Sequence, residues 1–209
     1  TTEAERPQEC WRYDEDYGFA ILPGTSLTHA LQKATQPEIS GALYSFSCYR
    51  ASEYVILLAI AQELETCNPA LYAKLQTLWT QYPIKSGLFH EIFLRELGSM
   101  QDPLPPKYFV PGDRTWFRNP DEQSSDASGF EGSWVMYLGN GLFSNFWQSN
   151  AAYTLTEKCL EIYHWRHGVY CDANGQACMD EAKVADLVAA TQKSENEVLR
   201  ICEQMQRYR

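Results

Sequence analysis

A chain of 209 residues with 44% hydrophobic and 21% charged content is long enough for one proper core and ordinary for a globular protein. Its formal net charge of −10 argues against nucleic acids and anionic membrane surfaces as partners, because both repel an acidic surface. No signal-peptide pattern stands in the sequence, and no apolar run approaches the roughly 20 residues a membrane-spanning helix needs.

Residues 1–9 are polar and read as a disordered or linker-like N-terminus, leaving 10–209 as a single domain. The segment Cys10 to Leu22 holds two short aromatic stretches around an acidic turn, which predicts a hairpin. Pro23-Gly24 breaks the chain, Thr25 or Ser26 caps a helix from Leu27 to about Ala34, and Gln36-Pro37 reads as a loop. From Tyr54 to Ala61 the residues are apolar on every face, the mark of a buried central helix. Cys48 falls in its first turn, with Ser45 or Ser47 as N-cap. Cys67-Asn68-Pro69 stops that helix and starts another, carried by Leu71, Leu75, Leu78 and Trp79 at helical spacing and closed by Pro83 and Gly87.

Residues 98–112 carry four prolines and read as an irregular connection. The pattern then turns to strands over 113–118 and 130–138, with a polar loop from Asp121 to Ser128 between them. Gly139-Asn140-Gly141 is a hairpin turn leading to a third strand over 142–147. A helix capped by Thr154 or Thr156 runs to about His167, a turn follows at Asp172–Gly175, and two helices around Lys193-Ser194 close the chain.

Seven cysteines, at 10, 48, 67, 159, 171, 178 and 202, are too sparse for a disulfide scaffold and odd in number. Cys171 and Cys178 flank a turn and read equally as a bridge or as two free thiols. Cys48 is the notable one. Unpaired N–H groups and the dipole of a helix N-terminus favour a thiolate. The plainer reading is a small buried apolar residue, as most free cysteines are. His164 and His167, three apart, share a helix face near Cys159, Cys171 and Cys178, but their spacing fits no standard zinc site. No metal and no cofactor is expected.

The order of elements, a cysteine-headed helix followed by an antiparallel sheet, is the plan of an α+β, papain-like domain. Three segments carry a narrower resemblance: Tyr44-Ser-Phe-Ser-Cys48-Tyr-Arg-Ala, Pro111-Gly-Asp113-Arg-Thr-Trp-Phe-Arg-Asn119-Pro120, and Gly132-Ser-Trp-Val-Met-Tyr-Leu138-Gly139. In consistent order they resemble the bacterial spore-coat transglutaminases, the small protein-glutamine gamma-glutamyltransferases. The likeness spans roughly residues 10 to 202, with looser matches at Trp11-Arg12 and in the closing helices. It implies a nucleophile-bearing helix packed on the sheet, Cys48 as the nucleophile, and a protein substrate presenting glutamine.

The likeness also implies partners that this chain lacks. The family's acid follows the first glycine of the second strand, where Ser133 stands here. Its histidine falls on Phe146, or on Asn145 with one residue gapped. Glu131 shares the strand face of Ser133 about 7 Å away at ~3.4 Å per residue, and is the first substitute acid. Asp113, opening the preceding strand, is second, and His90 is third. Asn145 has no base to offer and serves only to orient a group or donate to an oxyanion. Trp116, Phe117, Trp134, Tyr137 and Trp147 are candidates to wall a groove for an extended side chain, although each singly is also an ordinary core residue. Three readings stand beside one another: a cysteine acyltransferase or deamidase, a catalytically dead relative that binds a protein, and, more weakly, a papain-type thiol peptidase or amidase. The chain begins at Thr1, as a processed or excised piece does, and neither compartment nor oligomeric state is legible.

Overall fold

The computed structural model describes residues 5–84, 86–99, 101–146 and 151–206. The chain forms two compact units, Thr1–Glu96 and Leu97–Arg209. Among the described residues no helix is long and apolar enough to cross a membrane.

The first unit opens with the expected hairpin, β1 (Trp11–Asp14) and β2 (Gly18–Ile21), in antiparallel register from Trp11↔Ile21 to Asp14↔Gly18. Asp14 Oδ1 accepts the backbone N–H groups of Asp16 and Tyr17, each at 3.0 Å, so the acidic turn is closed by its own carboxylate. Helices α1 (Leu27–Thr35), α2 (Pro37–Ser40), α3 (Cys48–Cys67), α4 (Pro69–Gln81) and α5 (Ser86–Phe93) follow. Ser26 caps α1 by accepting from His29 N. Asn68 both ends α3, donating its N–H to Leu64 O, and caps α4, accepting from Leu71 N, while Pro69 takes the first helical position, where its missing N–H costs nothing.

Two helices differ from the sequence reading. Gln36-Pro37 begins the short α2 instead of a loop, because proline suits a first turn. Pro83 ends α4 as expected, but Gly87 lies inside α5. The central helix also differs. Tyr54, Leu57, Leu58 and Ala61 are buried, yet Val55 is 36% exposed and Ala59 is exposed as well. α3 therefore packs by one broad face against Trp11, Ile21, Leu27, Leu31, Trp79 and Phe89 and is not enclosed all round.

The N-terminal segment is tied down from Glu5 onward, unlike the loose attachment read from its polarity. Glu5 N donates to Ser45 O at 2.9 Å. The Arg6 side chain is buried, and its guanidinium carbon lies 4.7, 4.3 and 5.0 Å from the ring centroids of Phe19, Phe46 and Tyr54.

In the second unit residues 98–99 and 101–112 are irregular apart from one 3-10 turn at Pro106–Tyr108. β3 (Arg114–Arg118), β4 (Gly132–Gly139), β5 (Leu142–Phe143) and β6 (Tyr153–Thr154) form an antiparallel sheet in that order. α6 (Glu122–Ser125) is a single turn in the polar loop, capped by Asp121. Gly139, Asn140 and Gly141 have φ of +91°, +53° and +75°, left-handed values that explain this tripeptide at the turn. β5 is shorter than the expected 142–147 strand. α7 (Leu155–Gly168) starts in a capping box between Thr154 and Glu157. The hairpin β7 (Val169–Cys171) and β8 (Ala177–Met179) follows, then α8 (Glu181–Thr191) and α9 (Glu195–Gln206). Leu160, Ile162, Trp165, Val184 and Ile201 form the core of this helical part. Cys171 and Cys178 are free thiols.

One contact in the sheet sets a stability prediction. A Cβ on Gly132 would meet the Trp116 ring at 2.3 Å and the Phe117 carbonyl oxygen at 2.5 Å. Backbone oxygen in a paired strand cannot retreat, so Gly132→Ala is expected to cost about 1–3 kcal/mol by overpacking. Urea denaturation of the variant checks this; a midpoint equal to wild type would show that the strands have room to separate.

A second prediction concerns acid. His164 is buried on α7, with Nε2 2.8 Å from Thr191 Oγ1. Burial first, and the neighbouring charge of His167 second, hold its imidazole below the ordinary 6.5. The unfolded chain therefore takes up a proton near pH 6.5 that the folded chain refuses, and stability falls as pH drops through that value toward the lower folded one. Melting at pH 7.5 and 5.5 should show a loss in wild type that is smaller in His164→Gln. Equal losses would remove His164 as a source of the acid sensitivity.

Candidate functional site

Cys48 is the first residue of α3 and half-buried. Of the two serines expected as caps, Ser47 is the one that acts: its backbone is extended and its Oγ accepts from Arg50 N at 3.3 Å. The chain reaches this cap through the irregular stretch 43–47, which the Arg6 clamp holds. Arg6 Nε donates to the Tyr54 hydroxyl at 3.2 Å and Nη1 to Ser45 O at 3.3 Å. Tyr54 in turn stacks on Trp11 at 5.3 Å and meets Phe46 at 5.6 Å. Burial pushes the Tyr54 phenol up, against the pull of Arg6, so it stays protonated and available to the guanidinium.

Directly beyond Cys48 lies a polar cluster that the sequence reading did not assemble. Glu53 is wholly buried on α3. Its Oε2 accepts from Arg50 Nη1, which also donates to Ile84 O. Its Oε1 lies 3.8 Å from His90 Nε2 on α5, and the same nitrogen is 3.1 Å from the Tyr49 hydroxyl. Tyr49 and Glu53 are four residues apart, so they share one helix face. The signal was present in outline: one acidic residue at the head of an apolar run, with an arginine three residues earlier. Burying a carboxylate costs several kcal/mol unless it is paired and hydrogen-bonded.

The other expected site residues belong to the second unit. Glu131 precedes β4 instead of standing in it, is exposed, and its Oε1 accepts from Gly129 N at 3.4 Å; the strand-face argument for it therefore lapses. Asp113 immediately precedes β3, and its Oδ2 accepts from Val110 N at 2.7 Å, closing the turn after the proline-rich stretch. Ser133 is buried near the start of β4, opposite Phe117 on β3. Asn145 is half-buried just past β5, outside any strand.

The aromatic candidates are partly gathered. Trp116 and Trp134 face each other across β3 and β4 with centroids 5.0 Å apart, and the Arg114 guanidinium carbon lies 3.9 Å from the Trp134 centroid. Phe117 turns to Phe143 at 5.2 Å. Tyr137 meets Phe109 and Phe143 at 5.7 and 5.3 Å, and its hydroxyl accepts from Gly141 N at 3.2 Å. These contacts hold the sheet and its turn. Trp147 lies outside the described residues. Among the described residues no three His, Cys, Asp or Glu side chains converge as a metal cage.

Comparison with known proteins gives three findings. The fold is similar to that of a transglutaminase from Geobacillus stearothermophilus without its C-terminal extension, with a TM-score of 0.55 and 19% identity over 88% of this chain and 81% of that one. This likeness bears out the α+β, papain-like class. No curated protein sequence matches. The family model described as protein-glutamine gamma-glutamyltransferase matches residues 1–162, a stretch that contains Cys48, Glu53, His90 and the whole four-stranded sheet. The chain belongs to the protein-glutamine gamma-glutamyltransferase family.

Proposed function

We propose that the protein carries out cysteine-dependent acyl transfer on glutamine side chains of a protein substrate, through a thioester on Cys48. The observation that supports this most is the position of Cys48, at the capped first turn of α3 and half-open to its surroundings, in a chain of this family. The thiolate attacks the carboxamide carbon, ammonia leaves, and a lysine amine or water resolves the thioester, giving a cross-link or a deamidated glutamate. Backbone N–H groups of the first turn of α3 are the natural donors to the oxyanion formed at each step.

A second reading, a catalytically inactive relative that binds a protein, draws on a specific feature. Glu131 and Asp113, the first substitute acids, are both engaged in holding turns. Ammonia release from glutamine-rich protein substrates, measured together with incorporation of a labelled primary amine, separates the two. Release that disappears in Cys48→Ala is the expected result. Release unchanged in that variant would remove the thioester route, and binding of the same substrates without any release would favour the inactive relative.

A further inference from the structure

The chemistry above needs a group that receives the thiol proton and hands it to the departing nitrogen. We propose that His90 is that group, oriented by the buried Glu53 and linked to the first turn of α3 through the Tyr49 hydroxyl. The proposal rests on the acyl-transfer reading of Cys48.

Four observations converge on it. Tyr49 directly follows Cys48 and its hydroxyl is 3.1 Å from His90 Nε2, so the imidazole is joined to the nucleophile's own helical turn. Glu53 Oε1 faces the same nitrogen at 3.8 Å. A carboxylate this close limits how the ring turns and forms an ion-pair contact with it once the imidazole has taken up a proton. Arg50 holds the second oxygen of Glu53 and the Ile84 carbonyl, so the carboxylate cannot swing away. Finally, the pair is unequal: the Glu53 side chain is 0% exposed, whereas that of His90 is 40% exposed. A staple between helices is served by a pair buried at both ends or by neutral groups. A sunken carboxylate under an open imidazole suits proton exchange.

The protons balance without any co-reactant. In the first half-reaction the proton of Cys48 Sγ passes to the imidazole while the S–C bond forms. The C–N bond then breaks, and the imidazolium returns the proton to the leaving nitrogen as ammonia. In the second, the amine or water gives a proton to the imidazole as its nitrogen or oxygen bonds to the carbonyl carbon. The C–S bond breaks and the proton returns to sulfur.

The test uses alkylation of Cys48 by iodoacetamide, followed by peptide mass spectrometry, because it needs no protein substrate. His90→Gln keeps a polar group of similar reach beside Tyr49 but cannot take up a proton. It is expected to melt close to wild type, to alkylate more slowly at Cys48, and to lose about 10²–10⁴-fold in ammonia release. His90→Ala is expected to regain part of both rates on addition of free imidazole, a rescue that a packing role does not produce. Alkylation of Cys48 at the wild-type rate in both variants would overturn the assignment of His90 while leaving the thioester reading intact. Ammonia release that persists in Cys48→Ala would instead overturn the thioester reading, and His90 with it.

Discussion

Arg50→Met is expected to cost about 3 kcal/mol, toward the lower end of what breaking a buried ion pair costs, and to lower the melting temperature by roughly 6–12 °C. Glu53 is fully enclosed, and Arg50 supplies the bond to its Oε2. Methionine approximates the apolar stem of the arginine but leaves the carboxylate with one charged donor fewer. The same change removes the tie to the Ile84 carbonyl, which joins α3 to the segment entering α5. Adding Glu53→Gln should recover part of the loss, because a neutral amide is cheaper to bury than a carboxylate deprived of its cation. Thermal melting of the two single variants and the double variant gives the coupling directly. An Arg50→Met protein that melts with wild type would mean that the cluster is solvated and that Glu53 has no electrostatic dependence on Arg50.

Arg6→Ala is the second large effect, also about 3 kcal/mol. Hydrogen bonds from a charged donor contribute about 1.5–3 kcal/mol, and desolvated cation–π contacts about 2, with overlap between them because they act as one unit. The loss is expected to be local as well as global. Arg6 bonds Ser45 O and the Tyr54 hydroxyl and lies against Phe46, so its removal frees the stretch that delivers Ser47 and Cys48. Amide exchange should rise over residues 44–48 more than over α4, whose packing does not involve Arg6. Arg6→Lys should fall between the two, since an ammonium keeps the charge over the rings but not the fork of donors. Uniform exchange across the first unit would show that Arg6 stabilises the fold without fixing the entry to Cys48.

Much of this architecture was legible in the sequence wherever one segment decides its own conformation. Asn68-Pro69, the Gly-Asn-Gly turn and Thr154 are local devices, and each acts at the position where its chemistry pointed. The same holds for the Cys48 helix, whose start is set by Ser47. What periodicity could not show were pairings between distant segments. The Glu53 cluster brings Arg50 together with a histidine on α5, and α5 itself was hidden because Pro83 and Gly87 look like punctuation. Arg6 sits in a polar stretch that composition marks as loose; aromatic rings from β2, from the stretch before α3 and from α3 itself bury it. The strand-face argument for Glu131 failed for a local reason. Gly132 must lie against Trp116 and Phe117, so the strand begins at that glycine and the glutamate is left on the bend before it.

A thioester between Cys48 and a glutamine side chain is open to direct observation by intact-protein mass spectrometry. The sample is quenched in acid during turnover of a small glutamine donor such as carbobenzoxy-glutaminyl-glycine. The expected result is an acyl adduct that maps to Cys48, is discharged by hydroxylamine, and is absent from Cys48→Ala. Ammonia release at an equal rate in wild type and Cys48→Ala, or an adduct that maps to another cysteine, would contradict it.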